Sequence, residues 1–95
     1  MVSFREKVLR VVKKIPRGRT LTYKEVAKMA GFPRAWRVVG NVLNQNKDPN
    51  APCHRVVKSN REIGGYRNGS EKKIKLLQKE GIIIKHGKIT FRSNQ

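Results

Sequence analysis

Five consecutive residues carry the strongest chemistry in this chain: Pro52-Cys53-His54-Arg55-Val56. Cys53 is the sole cysteine, and no other side chain offers a comparable nucleophile. A thiol attacks as its thiolate, so a reactive cysteine needs a base or a cationic neighbour to bring its pKa down from about 8.5. His54 is a candidate base and Arg55 a candidate cation. Adjacent side chains point to opposite faces of a strand and diverge on a helix, so Cys53 and His54 are not expected to touch; a bridging water is the expected link. Taken bare, the run also fits a small buried hydrophobe followed by ordinary basic surface.

The elements that must position this sulfur can be read outward from it. Residues 4 to 15 place Phe4, Val8, Leu9, Val11, Val12 and Ile15 at helical spacing among Lys and Arg, which predicts an amphipathic helix. Ser3 and Glu6 stand in capping-box register at its start, and Pro16 and Gly18 end it. Thr22 and Glu25 repeat that register before Val26, Ala27 and Ala30, with Gly31 as the stop. Pro33 suits a first helical turn, so a third helix is expected from about Arg34 to Gln45, burying Trp36 or Val38 with Val39, Val42 and Leu43. Two short helices joined by a glycine-containing turn make a helix-turn-helix, the later helix being the one that reads DNA.

Beyond the cysteine, Val56-Val57 and Ile63 read as short strands separated by polar residues. Gly64 to Gly69 form a glycine-rich loop around Tyr66 and Arg67 that lacks the spacing of a nucleotide-hydrolysing phosphate loop. Ser70 or Gly69 can cap a last helix from Glu71 to Glu80, carrying Ile74, Leu76 and Leu77 and stopping at Gly81. Ile82 to Phe91 alternate around His86-Gly87 as a hairpin or wing, in which His86 is a turn residue and Lys85 and Lys88 could touch a DNA backbone.

Size and charge narrow the classes of function. Ninety-five residues make one small domain. Twenty-three Lys and Arg against six Asp and Glu give a formal charge of +17, which implies a polyanionic partner and salt-dependent binding. One Cys excludes an internal disulfide and fits a reducing compartment, and one Cys with two distant His residues gives no zinc-ligand spacing. No apolar run approaches about 18 residues and no signal-peptide core is present, so an intracellular protein, cytoplasmic and nucleoid-associated or nuclear, is expected.

Pro52-Cys53-His54-Arg55-Val56 resembles the active-site signature of the O(6)-alkylguanine-DNA alkyltransferases, and the likeness extends along the chain from about Phe4 to Gly81. Ile15-Pro16-Arg17-Gly18-Arg19-Thr20, Thr22-Tyr23 and Ala35-Trp36-Arg37-Val38-Val39-Gly40 resemble the approach to that family's recognition helix, and Leu76 to Gly81 its closing motif. The resemblance implies a winged-helix-like domain, mainly α with a little β. It also implies repair of guanine alkylated on its ring oxygen: irreversible transfer of the alkyl group to Cys53, once per molecule, after minor-groove binding and base flipping.

On that resemblance, His54 activates Cys53 through water, Glu80 orients His54, and Asn46 ties the recognition helix to the reactive loop. Tyr23 crowds a phosphate and offers a proton to the departing guanine, and Arg37 fills the space left by the flipped nucleotide. Arg34, Trp36, Gly40 and Asn41 complete the DNA-facing side, with Gly40 allowing close approach. Pro52, Val57, Tyr66 and Arg67 form the base pocket, where the carbonyls of Cys53 and Val57 read the exocyclic amine. Trp36, Asn41 and Val42 depart from the family's usual small residues, and the loop before Cys53 is one residue shorter. No metal or cofactor is called for, since the protein accepts the alkyl group itself, and a monomer is expected. Family members usually carry a further N-terminal domain, whereas this chain begins at the DNA-binding part. Rival readings are an alkyltransferase-like protein that binds lesions without repairing them, typically lacking the cysteine, and a helix-turn-helix regulator. A cysteine hydrolase is more distant.

Overall fold

The computed structural model describes residues 3–46, 50–60, 62–63 and 70–90, so the expected pocket residues Tyr66 and Arg67 lie outside the described residues. Helix α1 spans Phe4–Lys13, and the Ser3 hydroxyl accepts from the Glu6 N–H at 3.2 Å, the hydroxyl half of the expected capping box. The helix ends short of Ile15 because a residue before proline is pushed out of the helical region. Strand β1 is Leu21–Thr22 and leads directly into α2, Tyr23–Met29. Both halves of the second capping box form: Thr22 N–H donates to Glu25 Oε1 at 2.9 Å, and Glu25 N–H to Thr22 Oγ1 at 3.0 Å.

Helix α3 spans Trp36–Gln45 and starts later than the expected Arg34. Pro33 instead occupies the second position of a turn closed by Ala35 N–H donating to Phe32 C=O at 2.9 Å, a place its fixed φ favours. Burial also differs from expectation, since Trp36 is 37% and Val38 47% exposed. Val39, Val42 and Leu43 form the core stripe of this helix. Val38 lies about 100° around the helix from Val39 and so falls off that stripe, while Trp36 sits in the first turn with its ring beside the cations of Lys24 and Arg37.

A single 3₁₀ turn, Cys53–Arg55, carries the cysteine into strand β2, Val56–Val57. Strand β2 pairs in parallel with β1, Leu21 against Val56 and Thr22 against Val57, which fixes the reactive turn beside the start of α2. Helix α4, Ser70–Lys79, is followed by strands β3, Ile83–Lys85, and β4, Lys88–Thr90. These two strands pair antiparallel with Lys85 opposite Lys88, forming the expected wing. Its turn, His86-Gly87, has φ values of 54° and 74°, the two positive angles a tight type I′ hairpin requires.

Two apolar clusters hold these parts. Val8, Val12, Val26, Ala27, Val39, Val42, Leu43 and Val56 join α1, α2, α3 and β2, while Ile63, Leu77 and Ile82 join α4 to the wing. Leu77 is the fully buried member of the smaller cluster. Replacing it by Ala should therefore cost about 3 kcal/mol, read as a fall in the midpoint of urea unfolding with an unchanged slope.

Candidate active site

The reactive turn is closed by Cys53 N–H donating to Ala51 C=O at 2.8 Å and Arg55 N–H donating to Pro52 C=O at 2.9 Å. Cys53 is neither fully buried nor exposed, and its side chain packs against the larger apolar cluster. Asn46, which caps the C-terminus of α3 in an extended conformation, donates from Nδ2 to Cys53 Sγ at 3.2 Å. The end of α3 is thereby tied to the turn that carries the cysteine.

Behind this turn Glu80 is a hub. His54 Nε2 lies 2.8 Å from Glu80 Oε2, and Arg55 reaches the same carboxylate from Nε at 2.9 Å and from a terminal nitrogen at 2.7 Å. Gly18 N–H adds a bond to Oε1 at 3.2 Å, available because φ of 82° at that residue turns the chain back towards α4. Burial pushes the Glu80 carboxyl pKa up, but the hydrogen bonds from Arg55, His54 and Gly18 outweigh it and hold the group down at about 2. Glu80 is thus ionised and can only accept, so His54 carries its proton on Nε2 and leaves Nδ1 free of that contact to act as a base.

The structure divides the cations differently from the sequence reading. Arg55, expected as the positive neighbour of the thiol, is committed to Glu80 and to Ile15 C=O, which it meets at 2.9 Å. Lys73 is the cation the sequence reading missed. It is completely buried, and Nζ donates to Val56 C=O at 2.6 Å. Burial lowers its pKa to about 8 while attraction to Cys53 opposes the fall, so it remains charged at neutral pH beside the thiol. Its spacing could have revealed it, because Lys73, Leu77 and Glu80 share one helical face that turns inward.

Tyr23, the first residue of α2, stands against the same group, with Lys73 Nζ 5.9 Å from its ring centroid. Burial, and then the negative charge of Cys53, raise the phenol pKa, which keeps Tyr23 protonated. A cleft of about 590 Å³ opens here, and its wall brings together Tyr23, Trp36, Arg37, Gly40, Asn41 and Cys53. Arg34 lies in the turn before α3, Pro52 precedes the 3₁₀ turn and Val57 is buried in β2, so these three stand outside the cleft wall. A Cβ at Gly40 would lie 4.0 Å from Tyr23 Cε1, an ordinary contact, so packing within the protein does not demand glycine there. Among the described residues no group of three His, Cys, Asp or Glu side chains is placed to hold a metal ion.

The depressed pKa of Glu80 sets a direction for acid sensitivity. Its stabilising contribution is complete above the ordinary value of 4.5 and is lost as pH falls towards about 2. Glu80→Gln, which leaves Arg55 without its counter-ion, should cost about 3 kcal/mol at neutral pH and should flatten the pH dependence of urea unfolding across that acid window.

Residues 3–82 match the family described as 6-O-methylguanine DNA methyltransferase, DNA binding domain. The methylated-DNA–protein-cysteine methyltransferase of Methanothermobacter thermautotrophicus is 44% identical over 84 residues, covering 86% of this chain and 46% of that protein. The mouse protein of the same name is 42% identical over 83 residues, covering 84% of this chain and 39% of its own length. The chain thus spans about half the length, or less, of these curated relatives. Among solved structures, Mycobacterium tuberculosis OGT in complex with DNA superposes with a TM-score of 0.80 at 34% identity, over 85% of this chain and 50% of that one. S. pombe Atl1, in complex with damaged DNA containing O6-carboxymethylguanine, gives 0.82 at 28% identity over 97% of this chain and 91% of its own. These likenesses agree with a mainly helical, helix-turn-helix domain bearing a small wing, and with the match over residues 3–82 they place the chain in the 6-O-methylguanine DNA methyltransferase family, in its DNA-binding domain.

Proposed function

We propose that this chain binds double-stranded DNA and repairs guanine alkylated on O6 by transferring the alkyl group to Cys53, once per molecule. The observation that carries the reading is the setting of the sulfur: Sγ accepts from Asn46 at 3.2 Å, and Cys53 stands in the wall of the cleft formed with α3. Supporting it, the methyltransferase names belong to relatives that share more than 40% of their residues with this chain over the matched region.

The steps follow from the side chains. DNA docks on the cleft side of α3, drawn by the formal charge of +17, and the alkylated guanine leaves the stack, at a cost of a few kcal/mol. Arg37, on that side, fills the gap and offsets part of the cost. The thiol proton passes through a water molecule to His54 Nδ1, while Glu80 fixes the opposite nitrogen and stabilises the imidazolium. Asn46 and the buried charge of Lys73 favour the thiolate. Sulfur then attacks the alkyl carbon, the S–C bond forms as the C–O bond breaks, and the electron pair departs on the guanine oxygen. Tyr23, held as a phenol, or water supplies the proton that neutralises the guanine. The thioether has no route back, so turnover stops at one, and the acceptor being the protein itself, no cofactor takes part.

A second reading, binding of the lesion without transfer, draws on the likeness to Atl1, which spans nearly the whole of both chains. Intact-mass measurement after mixing with duplex containing O6-methylguanine separates the two. Transfer predicts a gain of one methyl confined to the Cys53 peptide, and Cys53→Ser should bind the duplex with wild-type affinity and gain nothing. An unchanged mass at saturating duplex, with the thiol intact, would leave only the binding reading. Asn46→Ala removes a hydrogen bond to the thiolate and should slow single-turnover transfer by about tenfold or more, with a smaller effect on affinity for undamaged duplex.

A further inference from the structure

Trp36 is the only tryptophan of the chain and one of its large apolar side chains left open to solvent, at 37% exposure. It opens α3, and successive turns of that helix place Trp36, Arg37, Gly40, Asn41 and Asn44 along one wall of the cleft that also holds Cys53. Lys24 Nζ lies 5.8 Å from the indole centroid, and the Arg37 guanidinium carbon 5.1 Å. Cations at these distances are attracted to the π-face and steady the ring, and they also supply positive charge where a phosphate backbone would run. An aromatic surface bordered by basic groups beside an open cleft is how proteins hold an unpaired base, since every base has a π-face to stack.

We propose that Trp36 is a stacking platform for a nucleobase displaced from the duplex, contacting it in the cleft that leads to Cys53. This role rests on the repair reading for its substrate, but it is a separate contact with separate consequences. Phosphate contacts from the many lysines and arginines act on any duplex, whereas a stacking face acts on a base only after that base has left the helix. Trp36 therefore contributes discrimination between damaged and undamaged DNA, and adds little to binding of intact duplex.

The indole is its own reporter. Tryptophan emission of the Cys53→Ser protein, which holds the lesion without consuming it, would be titrated with O6-methylguanine duplex, the same duplex undamaged, and the corresponding single strand, with binding followed in parallel by the anisotropy of labelled DNA and methyl on Cys53 read separately on the wild-type protein. The lesion duplex and the single strand should quench emission strongly as they saturate, and the undamaged duplex far less. Trp36→Ala should weaken the lesion duplex by about tenfold or more and the undamaged duplex, which docks on the same wall, by a clearly smaller factor, while Trp36→Phe should restore most of the lost affinity. Unchanged emission at saturation by the lesion duplex would overturn the platform, as would an equal loss for both duplexes in Trp36→Ala. Failure of the repair reading shows differently. If quenching by single strand and lesion duplex is seen without methyl on Cys53, the stacking role stands and transfer falls; if methyl reaches Cys53 without quenching, transfer stands and stacking falls.

Discussion

A single carboxylate holds the cysteine-bearing end of this molecule together. Placing an ionised carboxyl away from water is costly unless its lone pairs are filled, and Glu80 receives donors from His54, Arg55 and Gly18. Those donors come from two distant parts of the chain, the turn after α1 and the Cys53–Arg55 turn, and meet on a carboxylate that sits just past the end of α4. Arg55 extends the tie to Ile15 C=O, and Arg17 adds one to Lys79 C=O at 3.2 Å. Without that group two basic side chains would be left facing one another in a half-buried space. Fold and chemistry meet at this point, since the interaction that closes the domain also fixes which nitrogen of His54 bears the proton.

The choice of cation at each position follows from what each must do. Glu80 presents two oxygens in a plane, and Arg55 answers with a planar fork that a lysine could not reproduce. Lys73 is a point charge on a long stem, suited to reach from α4 into the interior and end on Val56 C=O. Burial brings its pKa to about 8 without removing its charge at neutral pH, and its electrostatic partner is Cys53. The thiol thus has a buried cation and an amide donor as its neighbours, while the guanidinium two residues further along the chain is engaged elsewhere.

What could be read from the sequence was what depends on short range. The Thr22 and Glu25 capping box, the stop at Gly31 and the two-residue turn at His86-Gly87 are local arrangements, and each is present. The pairing of His54 with Glu80 and of Asn46 with Cys53 was expected only through resemblance, because neither pair is linked by spacing alone. Three features escaped. Pro33 entered a turn in place of a first helical turn, since the backbone bond from Ala35 to Phe32 competed with helix initiation. Strand β1 is two residues long and exists only through its parallel partner β2, a pairing that no local pattern announces. Lys73 stood out in no motif, although its helical phase with Leu77 and Glu80 turns it inward.

The most consequential arrangement is the way α3 distributes its work around one short cylinder. Val39, Val42 and Leu43 anchor it to α1 and α2, Trp36, Arg37, Gly40 and Asn41 form the open wall, and Asn46 at its end holds the sulfur. A helix of ten residues packed along one side moves as a rigid body more readily than it bends. Gly40 belongs to that wall, and a Cβ there would meet Tyr23 at only an ordinary contact distance. The same short helix thus carries core packing on one side, the cleft wall on another and, at its cap, the contact to Cys53.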